Sequence, residues 1–149
     1  MKALLVMDVQ KNNLSKYEAD LVQKINERII EAQKHRDEIV YIKNTKKLRG
    51  RTVTDGFAEE LLLASDQVFC KTQADAFSSE ELVSYLKSKN IQTIELVGVD
   101  GNSCINASAK GAVKCGFLVS ISLRGVGVAN LPRFENTKEK LQKLGVVFG

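Results

Sequence analysis

Three side chains of this sequence have the chemistry needed for nucleophilic catalysis by cysteine. Asp8 and Lys71 each directly follow an apolar run, and Cys104 follows the run Ile94–Val99 after a short glycine-bearing turn. A cysteine nucleophile attacks as the thiolate, so it needs a proton acceptor and benefits from a nearby positive charge. Asp8 could accept the thiol proton if burial raises its pKa, and Lys71 could favour the thiolate by its charge.

The position of Cys104 beside a predicted helix start also favours a reactive thiol. A helix-like stretch begins near Ser103, where free backbone N–H groups and the positive end of the helix dipole stabilise negative charge. We therefore expect Cys104 to ionise readily and to alkylate before Cys70 and Cys115. We expect those two thiols to be buried and inert, as free cysteines usually are.

The same residues are also compatible with a protein that has no catalytic site. A buried cysteine, an aspartate that caps a turn and a solvated lysine would leave the same pattern, and spacing alone does not decide between the readings. The single histidine, His35, lies between Lys34 and Arg36 and is expected on the surface, so it offers no Cys-His pair.

Strand-like and helix-like segments alternate along the chain. Six apolar runs predict strands: Ala3–Asp8, Glu38–Lys43, Gln67–Cys70, Ile94–Val99, Phe117–Leu123 and Val146–Phe148. Capping-box patterns at Ser15/Glu18 and Ser78/Glu81 predict the starts of two helices. Further helices are predicted over Asn102–Cys115, Glu135–Leu144 and, more weakly, Asp55–Leu63.

This order of elements predicts an α/β fold with a parallel sheet. Near-continuous apolar runs are typical of parallel strands that are covered on both faces. Ligands of such sheets bind outside the carboxyl ends of the strands, where Asp8, Lys71 and Cys104 would all lie. Asn44–Thr54 is the expected mobile loop.

Length and composition favour one soluble domain over residues 1–149. The 149 residues are 44% hydrophobic and 27% charged, as in ordinary globular proteins. The three cysteines form no C-x-x-C pair, which argues against a disulfide framework and a cysteine zinc site. No secretory signal or membrane-spanning run is recognised, so we expect a cytoplasmic protein without a membrane partner.

A basic segment spans Lys43–Arg51 within a chain of net charge +4. It could attract an anionic substrate or nucleic acid, but it has no stacking aromatic residue or nucleic-acid motif. We expect a solvated loop and no nucleic-acid partner, since phosphate contacts alone give only non-specific binding.

The sequence resembles the isochorismatase-like cysteine hydrolases, the superfamily that includes the nicotinamidases. The likeness runs over nearly the whole chain and rests on Ala3–Gln10, on Lys71 with Asp75–Phe77, and on Leu96–Val99 leading to Cys104. It implies a three-layer α/β/α sandwich whose six-stranded parallel sheet has the order 3-2-1-4-5-6.

The resemblance also implies roles for individual residues. Asp8, Lys71 and Cys104 match the family's catalytic triad. The peptide from Val99 to Asp100 would be cis, and the backbone amides of Asp100 and Cys104 would form the oxyanion hole.

The sequence departs from the family where nicotinamidases bind a metal. The segment Asn44–Gly50 holds no histidine, so we expect neither metal nor cofactor. The nucleophilic Cys104 favours the amidase-type branch over isochorismatases that cleave vinyl ethers. The family's Asp-x-x-Phe after Gln10 is replaced by Lys11–Leu14.

These observations predict a small cysteine hydrolase that cleaves a carbon–nitrogen bond of a small amide through a thioester on Cys104. Gln10 and Phe77 are the expected substrate-binding residues. The expected partners are a small-molecule substrate and further copies of the chain in a homo-oligomer. The alternative is a non-catalytic protein that uses the same fold to bind a small ligand or to regulate.

Overall fold

The computed structural model describes the backbone of residues 1–149 and all side chains except those of Lys47 and Thr52. Within that description the chain forms seven strands: β1 (Lys2–Met7), β2 (Glu38–Leu48), β3 (Arg51–Thr54), β4 (Val68–Lys71), β5 (Thr93–Val99), β6 (Leu118–Gly127) and β7 (Val147–Phe148). The described α-helices are α1 (Leu21–Lys34), α2 (Glu80–Ser88), α3 (Cys104–Lys114) and α4 (Leu131–Lys143), and a 3-10 helix spans Ala76–Ser78.

The strands form one mostly parallel sheet of order β3-β2-β1-β5-β6-β7, with β4 also pairing with β2. Every pairing except that of β2 with β3 is parallel. The expected α/β fold with a mostly parallel sheet is therefore confirmed. The observed sheet differs from the predicted six-stranded order by the added antiparallel strand β3.

The extra strand arises where a mobile loop was expected. β2 continues to Leu48, and the chain turns back through Arg49 (φ 52°) and Gly50 (φ 78°). Two successive residues with positive φ make a tight hairpin turn whose twist matches that of the flanking strands. Residues 44–54 thus form a β-hairpin, and the expectation of an irregular loop is wrong.

Side-chain alternation along β1 divides the core between the two faces of the sheet. Leu5 and Met7 belong to one apolar cluster, together with residues of α2, α3 and α4. Leu4 and Val6 belong to a second cluster, which α1 covers. This period of two places a buried layer on each side of the sheet and gives the three-layer arrangement.

The first helix begins later than its capping-box pattern predicts. α1 starts at Leu21, and residues 11–20 form successive turns in which Tyr17 N–H donates to the Leu14 carbonyl and Leu21 N–H to the Glu18 carbonyl. The Glu18 carboxylate pairs with Lys24. It therefore does not act as the reciprocal cap that the pattern requires.

The weak helix predicted over Asp55–Leu63 is absent from this described segment. Its backbone instead bonds to distant groups: Ala58 N–H donates to the Val9 carbonyl, and Leu62 N–H donates to the Asn26 side chain. These tertiary hydrogen bonds replace the local ones of a helix.

Three other helix starts shift by a few residues from the prediction, and two of these helices, α2 and α4, have a side-chain cap. Ser79, rather than Ser78, caps α2 by accepting from Leu82 N–H. α3 begins at Cys104 rather than Asn102, and α4 begins four residues before the predicted Glu135 because the Asn130 side chain caps it. None of the described helices is both long and apolar enough to cross a membrane.

Candidate active site

Asp8, Lys71 and Cys104 meet at the carboxyl edge of the sheet. Asp8 follows β1, Lys71 ends β4, and Cys104 begins α3 beyond the end of β5. Lys71 Nζ lies 3.1 Å from Asp8 Oδ2 and 3.3 Å from Cys104 Sγ. Asp8 and Lys71 are buried and Cys104 is half-buried, so a single ammonium group links a carboxyl and a thiol away from bulk water.

A close approach of β1 to β5 brings Asp8 toward the cysteine. Gly98 has φ +120°, and a Cβ at this position would collide with the backbone carbonyl of Met7. Only glycine allows this contact. Asp8 itself has φ 56°, and the Asn13 side chain donates to its carbonyl at 2.7 Å. The end of β1 is thus bent and held where the carboxyl faces Lys71.

The end of β2 holds Lys71 from the other side. The Thr45 hydroxyl donates to the Lys71 carbonyl at 3.0 Å, and Lys71 Nζ donates to Asn44 Oδ1 at 3.5 Å. Extending β2 into the hairpin therefore fixes both the backbone and the ammonium group of Lys71.

The turn before Cys104 presents backbone N–H groups to the same place. The peptide from Val99 to Asp100 is cis. The Asp100 carboxylate accepts hydrogen bonds from Asn102 N–H (2.8 Å) and Ala129 N–H (2.9 Å). Among the described residues, the amides of Asp100 and Cys104 have no hydrogen-bond acceptor. These two N–H groups remain available to an oxygen atom of a ligand.

The electrostatics of the cluster reverse one expectation from the sequence. Burial raises the pKa of the Cys104 thiol, and the adjacent Asp8 carboxylate raises that pKa further, while Lys71 opposes both effects. Burial also raises the pKa of Asp8, against the lowering effect of Lys71 and of the hydrogen bond with Cys104. This direction is opposite to the expectation that Cys104 ionises readily, because burial and Asp8 outweigh the stabilising charge of Lys71. The thiol and the carboxyl compete for one proton.

The other two cysteines also differ from expectation. Cys70 is exposed and Cys115 is half-buried, so neither is the fully buried thiol that was predicted. The side chain of Cys70 lies on a solvent-facing position of the short strand β4. His35 is exposed and its Nδ1 lies 2.9 Å from the Glu31 carbonyl, which agrees with the expected surface position.

A cavity of about 420 Å3 opens beside Cys104. Its lining includes Asp8, Asp100 and three residues that the sequence analysis did not single out: Lys16, Tyr17 and Arg133. Burial, and then the neighbouring Asp100 carboxylate, raise the pKa of Tyr17 above its ordinary value. The recognised motifs did not identify these three residues. Lys16 and Tyr17 lie within the Ser15/Glu18 pattern, which predicts a helix start and not a ligand contact, and Arg133 lies at the start of α4 outside any recognised motif.

The two expected substrate-binding residues do not line this cavity. Gln10 is buried, and its amide donates to the Asp55 carbonyl and accepts from Asn44 N–H. It therefore anchors the hairpin. Phe77 packs against Phe117 in the core, with ring centroids 5.7 Å apart.

The described residues do not fit a metal centre. No group of three or more His, Cys, Asp or Glu side chains among them could hold an ion. In the region after β2, the Asp55 carboxylate already accepts from the backbone and the side-chain amide of Asn12, at 2.8 and 2.6 Å. The metal-free site stays a prediction.

Comparison with known sequences places this chain in a family. The sequence model described as "Isochorismatase domain" matches residues 2–147. The chain belongs to the isochorismatase family. No curated protein matches it.

Solved structures share the fold of this family member at low sequence identity. Pyrazinamidase of Pyrococcus horikoshii, in complex with zinc, is 18% identical with a TM-score of 0.78 over 99% of this chain and 98% of that one. An isochorismatase-like hydrolase from Alkaliphilus metalliredigens is 22% identical, with a TM-score of 0.82 over 99% and 93%. N-carbamoylsarcosine amidase from Thermoplasma acidophilum is 19% identical, with a TM-score of 0.85 over 99% and 94%. Likenesses at this identity establish the common fold and not a shared substrate.

Proposed function

We propose that this isochorismatase-family protein is a metal-free cysteine hydrolase of the branch related to nicotinamidases. It would cleave the carbon–nitrogen bond of a small amide through a thioester on Cys104. The observation that carries the proposal is the position of Lys71 Nζ, 3.1 Å from Asp8 Oδ2 and 3.3 Å from Cys104 Sγ. This geometry joins a nucleophile, a base and a balancing charge.

In the proposed first half-reaction, Asp8 takes the proton of the Cys104 thiol. The sulfur then forms a bond to the carbonyl carbon of the substrate, and the charge that develops on oxygen is held by the N–H groups of Asp100 and Cys104. The carbon–nitrogen bond breaks, and the amine leaves with the proton from Asp8. Lys71 stabilises the charged forms of the sulfur and the carboxyl.

In the second half-reaction, water replaces the amine. Asp8 accepts a proton from the water as its oxygen attacks the thioester carbon. The carbon–sulfur bond then breaks, and the proton returns to the sulfur of Cys104. The products are a carboxylic acid and an amine or ammonia, and the protein is restored.

An acyl-transfer assay tests this function. With 4-nitrophenyl acetate, we expect a burst of nitrophenolate and an acetyl adduct on Cys104 by mass spectrometry. Cys104→Ala, Asp8→Asn and Lys71→Ala should each lower turnover by about a thousandfold or more, and the losses should not add because the three groups act on one step. Cys70→Ala is the matched control and should keep full activity. Full activity in Cys104→Ala would exclude the nucleophilic mechanism.

A non-catalytic role is the second candidate. It is favoured by the ion pair of Asp8 with Lys71, which engages the proposed base, and by burial, which raises the pKa of the Cys104 thiol beside that pair. A ligand-binding protein would retain a protonated thiol and show no burst. The absence of any acetyl adduct on Cys104, in protein with a native circular dichroism spectrum, would put this candidate first.

A further inference from the structure

The two carboxylates that line the Cys104 cavity already have partners within the protein. Asp8 pairs with Lys71, and the two oxygens of the Asp100 carboxylate accept from the N–H groups of Asn102 and Ala129. Apart from Asp8 and Asp100, no described carboxylate lines this cavity. Lys71 balances the charge of Asp8, whereas the neutral N–H groups stabilise the Asp100 carboxylate without cancelling its charge, so the floor keeps one negative charge.

The rim of the same cavity carries two cations. Arg133 and Lys16 both line it and are exposed, and neither forms a salt bridge with a described residue. These two cations outnumber the one uncompensated carboxylate of the floor, so the described charged groups give the entrance a net positive charge. An anion is the ligand charge that they complement.

The backbone of Arg133 is tied to the turn that carries the nucleophile. Asn130 caps α4 by accepting from Arg133 N–H at 3.0 Å. The Asn102 side chain donates to the Asn130 carbonyl at 2.9 Å and accepts from the Thr137 hydroxyl at 2.8 Å. Because Asn102 lies in the turn that carries Cys104, these hydrogen bonds tie the start of α4 to that turn. Such a fixed scaffold is what a binding residue needs to orient a substrate.

From these observations we infer the substrate class: a small amide that also carries a carboxylate, bound by Arg133 with support from Lys16. The inference rests on the proposed function. A guanidinium group binds a carboxylate through two parallel hydrogen bonds, which fixes both position and orientation. The cavity of about 420 Å3 suits a small molecule, so the carboxylate lies within a few bonds of the scissile amide.

A pair of alkylating probes tests the inference without any turnover. Iodoacetate and iodoacetamide both alkylate thiols, and they differ only in that iodoacetate carries a carboxylate where iodoacetamide carries a neutral amide. For each thiol, we compare the rate constant for iodoacetate with the rate constant for iodoacetamide. We expect this ratio to be about tenfold higher at Cys104 than at the exposed Cys70, because one charge-assisted hydrogen bond contributes a free energy of that size. Site-resolved mass spectrometry gives both rates in one sample.

Variants assign the effect to the rim. Arg133→Gln should lower the ratio at Cys104, and the double variant with Lys16→Gln should bring it down to the value at Cys70. Lys140→Gln is the matched control, because Lys140 is exposed on the same helix but does not line the cavity. An unchanged ratio in the double variant would overturn the inference, as would a wild-type ratio equal to that of Cys70.

A substrate pair then links the inference to catalysis. Succinamate and butyramide are amides of similar shape that differ by a carboxylate against a methyl group. We expect ammonia release from succinamate to be the faster, and Arg133→Gln to raise KM for succinamate while leaving KM for butyramide unchanged. Equal rates of hydrolysis for both amides would overturn the inferred substrate class but would support the proposed hydrolase function. If neither amide is hydrolysed and the 4-nitrophenyl acetate burst is also absent, the proposed hydrolase function fails. The ratio of alkylation rates would then still show whether Arg133 and Lys16 bind an anion beside Cys104.

Discussion

Lys71 and Cys104 lie 33 positions apart in the sequence, yet Lys71 Nζ donates a 3.3 Å hydrogen bond to Cys104 Sγ. The same ammonium group lies 3.1 Å from Asp8 Oδ2. Lys71 therefore lowers the pKa of both its neighbours, while the burial that they share raises both. The reactivity of the thiol depends on the balance of these effects.

Removing the charge of Lys71 should make Cys104 less reactive. In Lys71→Met the opposing charge is lost, so the pKa of Cys104 rises further above its ordinary value of 9.0. Alkylation by iodoacetamide at neutral pH should slow about tenfold or more, the effect of one pKa unit. The pH dependence of the alkylation rate measures this change. Lys46→Met, at an exposed position of the hairpin, should leave the rate unchanged.

Removing the charge of Asp8 should have opposite effects on alkylation and on turnover. After burial, the Asp8 carboxylate is the largest cause of the raised Cys104 pKa, so Asp8→Asn should lower that pKa and speed alkylation at neutral pH. Turnover should be lost, because the proton acceptor is gone. Asp66→Asn, at an exposed position, controls for the loss of a carboxylate. Slower alkylation together with lost turnover would contradict the shared-proton arrangement.

Glu95 should make stability depend on pH. Burial raises the pKa of Glu95, but hydrogen bonds from Arg28 and Lys2 outweigh it, and the net pKa lies below the ordinary 4.5. Its ionised form is therefore favoured by folding. This contribution is fully present above pH 4.5 and is lost as the pH falls through the folded-state pKa.

Glu95→Gln should thus lower the free energy of unfolding at neutral pH by about 2 kcal/mol. This loss is smaller than the loss from breaking a fully buried ion pair, because Lys2 and Arg28 are both partly exposed. Urea unfolding should show this difference shrinking in acid. Glu27→Gln breaks an exposed bridge to Arg124 and should change stability by less than about 0.5 kcal/mol. A difference that stays constant with pH would show that shape rather than charge is responsible.

Gly111→Ala should lower stability although it lies inside α3. Helix propensity alone favours alanine there by about 1 kcal/mol. However, a Cβ at Gly111 would overlap the Asp75 carboxylate, which accepts from Phe77 N–H at 2.8 Å and starts the 3-10 helix. Overpacking of this kind costs about 1–3 kcal/mol, so the net effect is a loss.

Urea unfolding measures this net loss, and the Asp75→Ser background supplies the control. A serine keeps the capping oxygen on a shorter side chain. Gly111→Ala should be less destabilising in that background than in the wild type. An equal loss of stability in both backgrounds would show that the overlap with the Asp75 carboxylate is not the cause.

The sequence by itself determined the layers of the fold and the edge at which its reactive groups lie. Near-continuous apolar runs such as Ile94–Val99, in which Glu95 is the one charged residue, encode strands that are buried on both faces. Parallel strands end at one edge, so Asp8, Lys71 and Cys104 could be expected there. The segments that form this edge are also those that carry the resemblance to the isochorismatase family.

Only the tertiary structure decided the direction of the pKa shift at Cys104 and the lining of the cavity. The pKa of Cys104 depends on burial and on Asp8, which is distant in sequence, whereas the helix dipole is a local feature of the chain. Arg133 and Lys16 carry no local pattern, and the packing of α4 and of the turns before α1 brings them to one rim. Burial and long-range charge are properties of the folded chain, since they depend on which segments come together and exclude water.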